Sequence, residues 1–591
     1  MPGQTQTDGN HHPREDDHAG HARENGNGSE HGHHSERQTV RIGKGHGQPL
    51  TAADVVAVAR EGARVRLAPE AAERIAAARD LVERLCAEDR TVYGITTGFG
   101  HLSRKKIAQD SLEALQHNLI RSHASGVGEP FDDATTRAVM LLLANSLARG
   151  HSGVRRQTLD LLLGLLNAGV TPIVPSRGSV GASGDLAPLA HLSLVLIGEG
   201  EATYQGRRLP GAEALRLAGL APVRLGAKEG LALINGTHVM AACGILAAAD
   251  AWRLVRAAEV AAAMSTEALM GSYVPLDARI HALRPQRGQG RTAARLRALL
   301  DGSEINPSHA GCERVQDPYT LRCVPQVLGA ARDALDYCDG VFTAELEAVT
   351  DNPLLFPADG DVLTGGNFHG QPLALALDFL ALALAQVASF SERRTYNLMG
   401  PHDWDTGDHA MPLFLTPDPG LSSGYMIAQY AAAALVNEIK VLAHPASIDS
   451  IPTSAGMEDF VSMGATAANK LRHLLGLAYS VVAIELLAAA QGLEFRAPLQ
   501  PGRGVAAAHA RVREVVAPLT TDRPPAPDIA ALAAALRAGL LDALVLEGEI
   551  AEAPRLARRA SANGNGHTPR APRQPRAPTP TGADRGGRGR H

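Results

Sequence analysis

The stretch 372–390 reads PLALALDFLALALAQVASF, and helical apolar spacing continues to residue 399. Apolar side chains occupy nearly every face of it, where a surface helix would keep one polar side. It comes close to the length and apolarity of a bilayer crossing. Asp378, however, lies inside it, and a carboxylate in hydrocarbon is costly. A helix buried by other helices in a soluble bundle accounts for both features. Residues 135–149, 231–264, 427–442 and 465–490 keep similar spacing. Ala and Leu fill the apolar positions and aromatics make up only 4%, which favours helix over sheet. Strand signals are sparse. Residues 91–100 form a β-branched run broken by glycines, a loop with at most one strand, and 171–188 is punctuated by Pro and Gly. The expected fold is mainly all-α, a central bundle of long helices whose end loops carry the chemistry. A loop-rich part, about 40–230, precedes the helical part, about 231–553. So much apolar helix surface also implies oligomerisation.

The chain has 591 residues and a net charge of −5, which gives no reason to expect a nucleic-acid partner. Residues 1–39 are rich in His, Gly, Asn, Asp and Glu, and 554–591 in Arg, Pro and Gly. Both are expected to be disordered tails. His11, His12, His31, His33 and His34 could hold a transition metal, but a solvated tail is the simpler reading and no metal site is assigned. The N-terminus has no apolar signal region. Cys86, Cys243, Cys312, Cys323 and Cys338 are scattered, without a CxxC pair. This usage fits a reducing cytoplasm and no membrane.

The loop 178–189 reads GSVGASGDLAPL. In a compressed turn the nitrogen of Gly184 can approach the carbonyl carbon of Ala182, because glycine has no Cβ and alanine only a methyl. Loss of two waters, one from Ser183, would leave a methylidene-imidazolone (MIO) ring, an electrophile that no ordinary side chain supplies. Tyr93 lies in the glycine-rich string YGITTGFG, suited to a mobile lid. Its glycine spacing is wrong for a dinucleotide fingerprint. Asn235 lies in LINGT and reads equally as a simple Asn-Gly turn. In VQDPYTLR, Arg322 could grip a carboxylate with two parallel hydrogen bonds or form a surface ion pair.

These strings together resemble the aromatic amino acid ammonia-lyases and aminomutases, from about residue 40 to about 498. The resemblance implies a carbon–nitrogen lyase that needs no external cofactor, with MIO formed from Ala182, Ser183 and Gly184. It implies that Tyr93 takes the β-proton and that Asn235 contacts the ring and the substrate amine. Tyr319 would position ring and substrate, with Gln316 as a polar neighbour, Arg322 would hold the substrate carboxylate, and Phe368 would wall the pocket. It also implies a homotetramer whose active sites combine more than one subunit. The 350–353 string TDNP looks familiar but receives no role.

His123, in the string SHASG, and Glu458 bear on the substrate side chain. An imidazole needs partners for its ring nitrogens, or its desolvation is costly, and these two residues could supply them. Relatives acting on phenylalanine or tyrosine usually carry glutamine then aspartate at 458–459. The string is therefore most similar to members that convert L-histidine to trans-urocanate and ammonia. Met457, Phe460 and Thr96 depart from the residues usual in those members. The alternatives are a tyrosine or phenylalanine ammonia-lyase or 2,3-aminomutase on the same scaffold, or a non-catalytic helical protein binding metal through its His-rich tail.

Overall fold

A computed structural model describes residues 39–44, 48–98, 100, 105–312, 314–402 and 410–544. The expected tails lie outside these residues, save Thr39, which opens a short strand. Among the described residues there are nineteen α-helices and nine strands, the strands only two to four residues long and gathered in four small sheets. The mainly helical expectation holds.

Long helices make the centre: His238–Ala268, Val324–Leu346, Gln371–Leu398, Met426–Leu442 and Gly464–Glu494. Gln371–Leu398 packs along Gly464–Glu494, which packs in turn along His238–Ala268. Three of the helices are long and apolar enough to cross a membrane, but 61–78% of their apolar windows is buried inside the fold. A buried ion pair ties all three. Arg394 donates to both carboxylate oxygens of Glu485, at 2.5 and 2.8 Å, and Ser265 adds a third hydrogen bond at 2.8 Å.

Asp378 explains itself in this setting. Its buried carboxylate accepts from Ala446 N and Ser447 N, both at 2.8 Å, and lies 3.4 Å from Lys470 Nζ. The apolar helix thereby anchors the turn that follows Met426–Leu442.

The 231–264 stretch is not one helix. Glu229–Ile234 ends at Asn235, and a new helix starts at His238. The break has a backbone cause. Gly236 has φ +142° and sits in a parallel bridge with Gly184. Residues 93–96 form turns, with a bridge from Thr97 to Lys106 and no strand among the described residues of 91–100. Residues 171–188 carry two short strands before the helix Leu186–Leu196.

One side of Gln371–Leu398 remains outward. Leu375, Phe379, Leu382, Gln386, Arg393 and Tyr396 are exposed in the single chain. Ile427, Tyr430 and Val441 do the same on Met426–Leu442. Among the described residues, no group of three or more His, Cys, Asp and Glu side chains could hold a metal ion.

Replacing Asp378 by alanine removes the acceptor of two buried amides and the partner of Lys470. This variant should lose about 3 kcal/mol in urea unfolding, although it makes the helix more apolar. His238 gives a pH prediction. It is buried, its ring nitrogens have no partner among the described residues, and burial pushes its pKa down to about 4. The unfolded chain binds this proton near pH 6.5 and the folded chain resists it until about 4. Acidification through that window therefore favours unfolding, by a term on the order of 3 kcal/mol. His238→Gln should flatten the fall in stability between pH 6.5 and 4, measured by urea melts across the window.

Candidate active site

The 178–185 loop is latched to the start of His238–Ala268. Gly236 N donates to Ser183 O at 3.3 Å, and Asp185 N to Gly236 O at 2.7 Å. A helix leaves its first amides without internal partners. Here the buried Asp185 carboxylate supplies one, accepting from Val239 N and Met240 N at 3.0 Å each. Ser179 Oγ lies 3.3 Å from the same carboxylate. Burial pushes Asp185 up to about 7; these donors pull the other way, and the nearby Glu345 adds to the rise.

The Ala182-Ser183-Gly184 turn suits backbone cyclisation. Gly184 has φ +76°, and a Cβ there would stand 2.1 Å from Gly236 O. Only glycine fits. A parallel bridge draws on the groups either side of a residue, so Gly184 keeps its own N–H out of the pair. Ala182 is buried against Val461 and Met463. Ser183 is half-buried, and its Oγ donates to Glu458 Oε1 at 3.1 Å.

A cavity of about 220 Å³ opens over this turn, lined among others by Ser122, His123, Ala182, Gly184, Thr453 and Glu458. His123 Nδ1 lies 2.9 Å from Leu119 O. A carbonyl only accepts, so Nδ1 carries the proton and neutral His123 offers a lone pair at Nε2. Burial lowers the His123 pKa, while Leu119 O and the Glu458 charge pull it back. Thr453 Oγ1 donates to Glu458 Oε2 at 2.7 Å.

Asn235 is buried beside Gly236. Its Nδ2 donates to Asp351 Oδ1 at 3.2 Å and to Asn352 O at 3.3 Å. The other oxygen of Asp351 takes Lys228 Nζ at 2.6 Å, in an ion pair buried on both sides. Tyr93 sits on the turn at 93–96, and its hydroxyl accepts from Gly100 N at 3.4 Å. That loop touches both neighbours of the site. A Cβ on Gly94 would meet Leu231 and Pro353, and one on Gly100 would meet Ser454. Phe368 is half-buried on the 367–368 turn. The next residue, His369, stacks on Phe460 with ring centroids 6.2 Å apart.

Gln316, Tyr319 and Arg322 are elsewhere. Gln316 and Tyr319 are exposed, and the Arg322 guanidinium lies over the Tyr319 ring, 4.5 Å from its centroid. Arg322 Nε is buried without a partner among the described residues. Their segment is tied to the far end of His238–Ala268. Asp317 accepts from Ser272 N at 2.7 Å, and Arg314 donates to Leu269 O at 3.0 Å. At 1.5 Å per residue, that end is about 45 Å from the Asp185 latch. One chain therefore keeps these two groups of candidate residues at opposite ends of His238–Ala268.

The structure adds residues that the sequence reading passed over. Asp185 carries the latch, Lys228 and Asp351 orient Asn235, and Thr453 braces Glu458. Asp185 lies in the 178–189 loop and Asp351 in the TDNP string, so both stand in segments with a signal, though without a role. Lys228 stands out only in retrospect, as a lysine next to an apolar run.

Residues 50–514 match the sequence profile of the aromatic amino acid lyase family. The chain is 54% identical over 509 residues to the histidine ammonia-lyase of Sorangium cellulosum, covering 85% of this chain and 98% of that one. It is 54% identical to the Symbiobacterium thermophilum histidine ammonia-lyase, covering 84% and 97%. The crystal structure of histidine ammonia-lyase from Trypanosoma cruzi superposes with a TM-score of 0.79 at 41% identity, over 86% of this chain and 96% of that one. Tyrosine aminomutase from Streptomyces globisporus does so with 0.79 at 37%, over 86% and 98%. The chain belongs to the aromatic amino acid lyase family and is a carbon–nitrogen lyase.

Proposed function

We propose that this chain eliminates ammonia from L-histidine to give trans-urocanate. The single observation that carries the substrate is Glu458 with His123 on the cavity over the Ala182-Ser183-Gly184 turn. The Glu458 carboxylate is the acceptor a substrate ring N–H needs, whereas a phenyl ring would leave that carboxylate unpaired. Histidine ammonia-lyases at 54% identity support the same substrate.

The turn fits an MIO ring formed from Ala182, Ser183 and Gly184, because Gly184 alone allows the close approach and keeps its N–H free of the bridge. When formed, MIO supplies an electrophile for the substrate. The chain's own groups do the rest. Tyr93 takes the β-proton at its phenol oxygen, from a lid loop that excludes water. Asn235, held by Asp351 and Asn352, turns its amide toward the substrate amine. Phe368 walls the pocket.

The carboxylate grip comes from a second copy. Arg322, with Tyr319 and Gln316, lies too far from the turn of its own chain to share a substrate with it. The outward apolar side chains of Gln371–Leu398 and Met426–Leu442 offer a surface for copies to pack on, and a symmetric tetramer satisfies both facts. Five free cysteines support a reducing, cytoplasmic location.

Incubation with L-histidine should raise the near-ultraviolet absorbance of urocanate; cinnamate or coumarate from phenylalanine or tyrosine instead would overturn the substrate. Intact mass should fall short of the sequence mass by two waters, and Ser183→Ala, which has no hydroxyl to lose, should not show the two-water deficit against its own sequence mass and should abolish turnover. Co-expressed Ser183→Ala and Arg322→Gln chains, each inactive alone, should recover up to about a quarter of wild-type sites if sites are composite. A mixture that stays inactive would mean each site is built from one chain.

A further inference from the structure

Glu458 sits on a loop that closes on itself. Thr453 N donates to Glu458 O at 2.8 Å, and Glu458 N to Thr453 O at 3.3 Å. Ser454, Ala455 and Gly456 between them all have left-handed φ, at 50°, 53° and 85°. The loop thus brings Thr453 and Glu458 side by side on the cavity wall. Each carboxylate oxygen has its own hydroxyl donor. Ser183 Oγ holds Oε1 at 3.1 Å, and Thr453 Oγ1 holds Oε2 at 2.7 Å.

The two donors have different fates. Ring formation from the 182–184 turn removes the Ser183 oxygen as water, so Oε1 loses its donor. The Thr453 hydroxyl takes no part in that chemistry and remains. A carboxylate turns easily about its last torsion, which is broad and two-fold. With one oxygen tied to Thr453, the other is held facing the space over the turn.

We propose that Thr453 is a positioning residue, which fixes Glu458 through Oε2 so that Oε1, the oxygen released by Ser183, accepts the N–H of the substrate's imidazole. This rests on the reading of histidine as substrate. His123 faces the same carboxylate by charge, but it touches neither the Thr453 hydroxyl nor Oε2 in any hydrogen bond among the described residues. The device also gives an order of events. While Ser183 is intact it bonds the same oxygen that the substrate needs, and closing the ring removes that competing donor.

Thr453→Val keeps the branched shape and the backbone bridge while deleting the hydroxyl; Thr453→Ser keeps the hydroxyl. A hydrogen bond to a charged group corresponds to about 10- to 100-fold. The ring contact is made in ground state and transition state alike, so its loss appears in KM. Thr453→Val should raise KM for L-histidine by about that factor with kcat within about threefold. Thr453→Ser should stay close to wild type, and both variants should show the two-water mass loss. Equal KM in Thr453→Val and wild type would overturn the proposal, as would equal impairment in the valine and serine variants. A Thr453→Val chain that retains both waters would overturn it too, because Thr453 would then act in ring formation. A wild-type enzyme inactive on histidine would instead refute the substrate reading, which separates the two failures.

Discussion

The Asp185 carboxylate, accepting from two amides at the start of His238–Ala268, is the contact on which the site depends. It joins the loop that carries Ala182, Ser183 and Gly184 to one of the two longest helices among the described residues. The partnership serves both sides. The helix gains a cap for amides that its own turns leave open, and the loop gains an anchor that does not bend. Burial makes the charge costly and pushes the Asp185 carboxyl up to about 7. Next to it, Gly184 and Gly236 bring two backbones into a contact that no Cβ could enter. The break between Glu229–Ile234 and His238–Ala268 follows from the same contact. A continuous helix would have used the amide and carbonyl of Gly236 for itself, and the loop would have had nothing to pair with.

The groups around the turn are held in pairs, each side chain fixed by another. Asn235 is aimed by Asp351, which is aimed by Lys228. Glu458 is braced by Thr453 and Ser183. Such arrangements reduce the freedom that a catalytic group would otherwise lose at the moment of reaction. The cavity is small, and the Tyr93 loop packs against Leu231 and against Ser454, the neighbour of Thr453 on the cavity wall. The long helices set the larger geometry. The helix His238–Ala268 acts as a spacer, with the 314–322 segment tied to one end and the 182–184 turn to the other.

The bundle is legible in the sequence because its helices are apolar on several faces, a pattern that only burial by neighbours explains. Asp378 is legible as an argument against a membrane, but its partners at Ala446 and Ser447 are 68 and 69 residues away and leave no local mark. Asn235-Gly236 is a turn signal inside an otherwise helical run, and local spacing has no way to say that Gly184 waits across from it. Val324–Leu346 is not singled out by its spacing, because Gly329 and Gly340 and its charged positions dilute the apolar pattern. His123 and Glu458 stand out through the family resemblance together with the needs of an imidazole ring, and they line one cavity. The latch, the Lys228–Asp351 pair and the Thr453 brace are tertiary facts. Each depends on residues far apart in the chain or on a loop closing, and polar residues of these types are common everywhere.

The outward side chains of Gln371–Leu398 fall at 375, 379, 382, 386, 393 and 396. These steps alternate between three and four, with one gap of seven, and so average 3.5 residues. A straight α-helix turns once every 3.6, so such a row drifts around the rod by about 20° in each seven residues. A straight neighbour would lose the row within a few turns. Helices that follow it must coil around one another with a left-handed twist, crossing at about +20°. The surface of a single chain thus already carries a handedness for whatever helix lies against it.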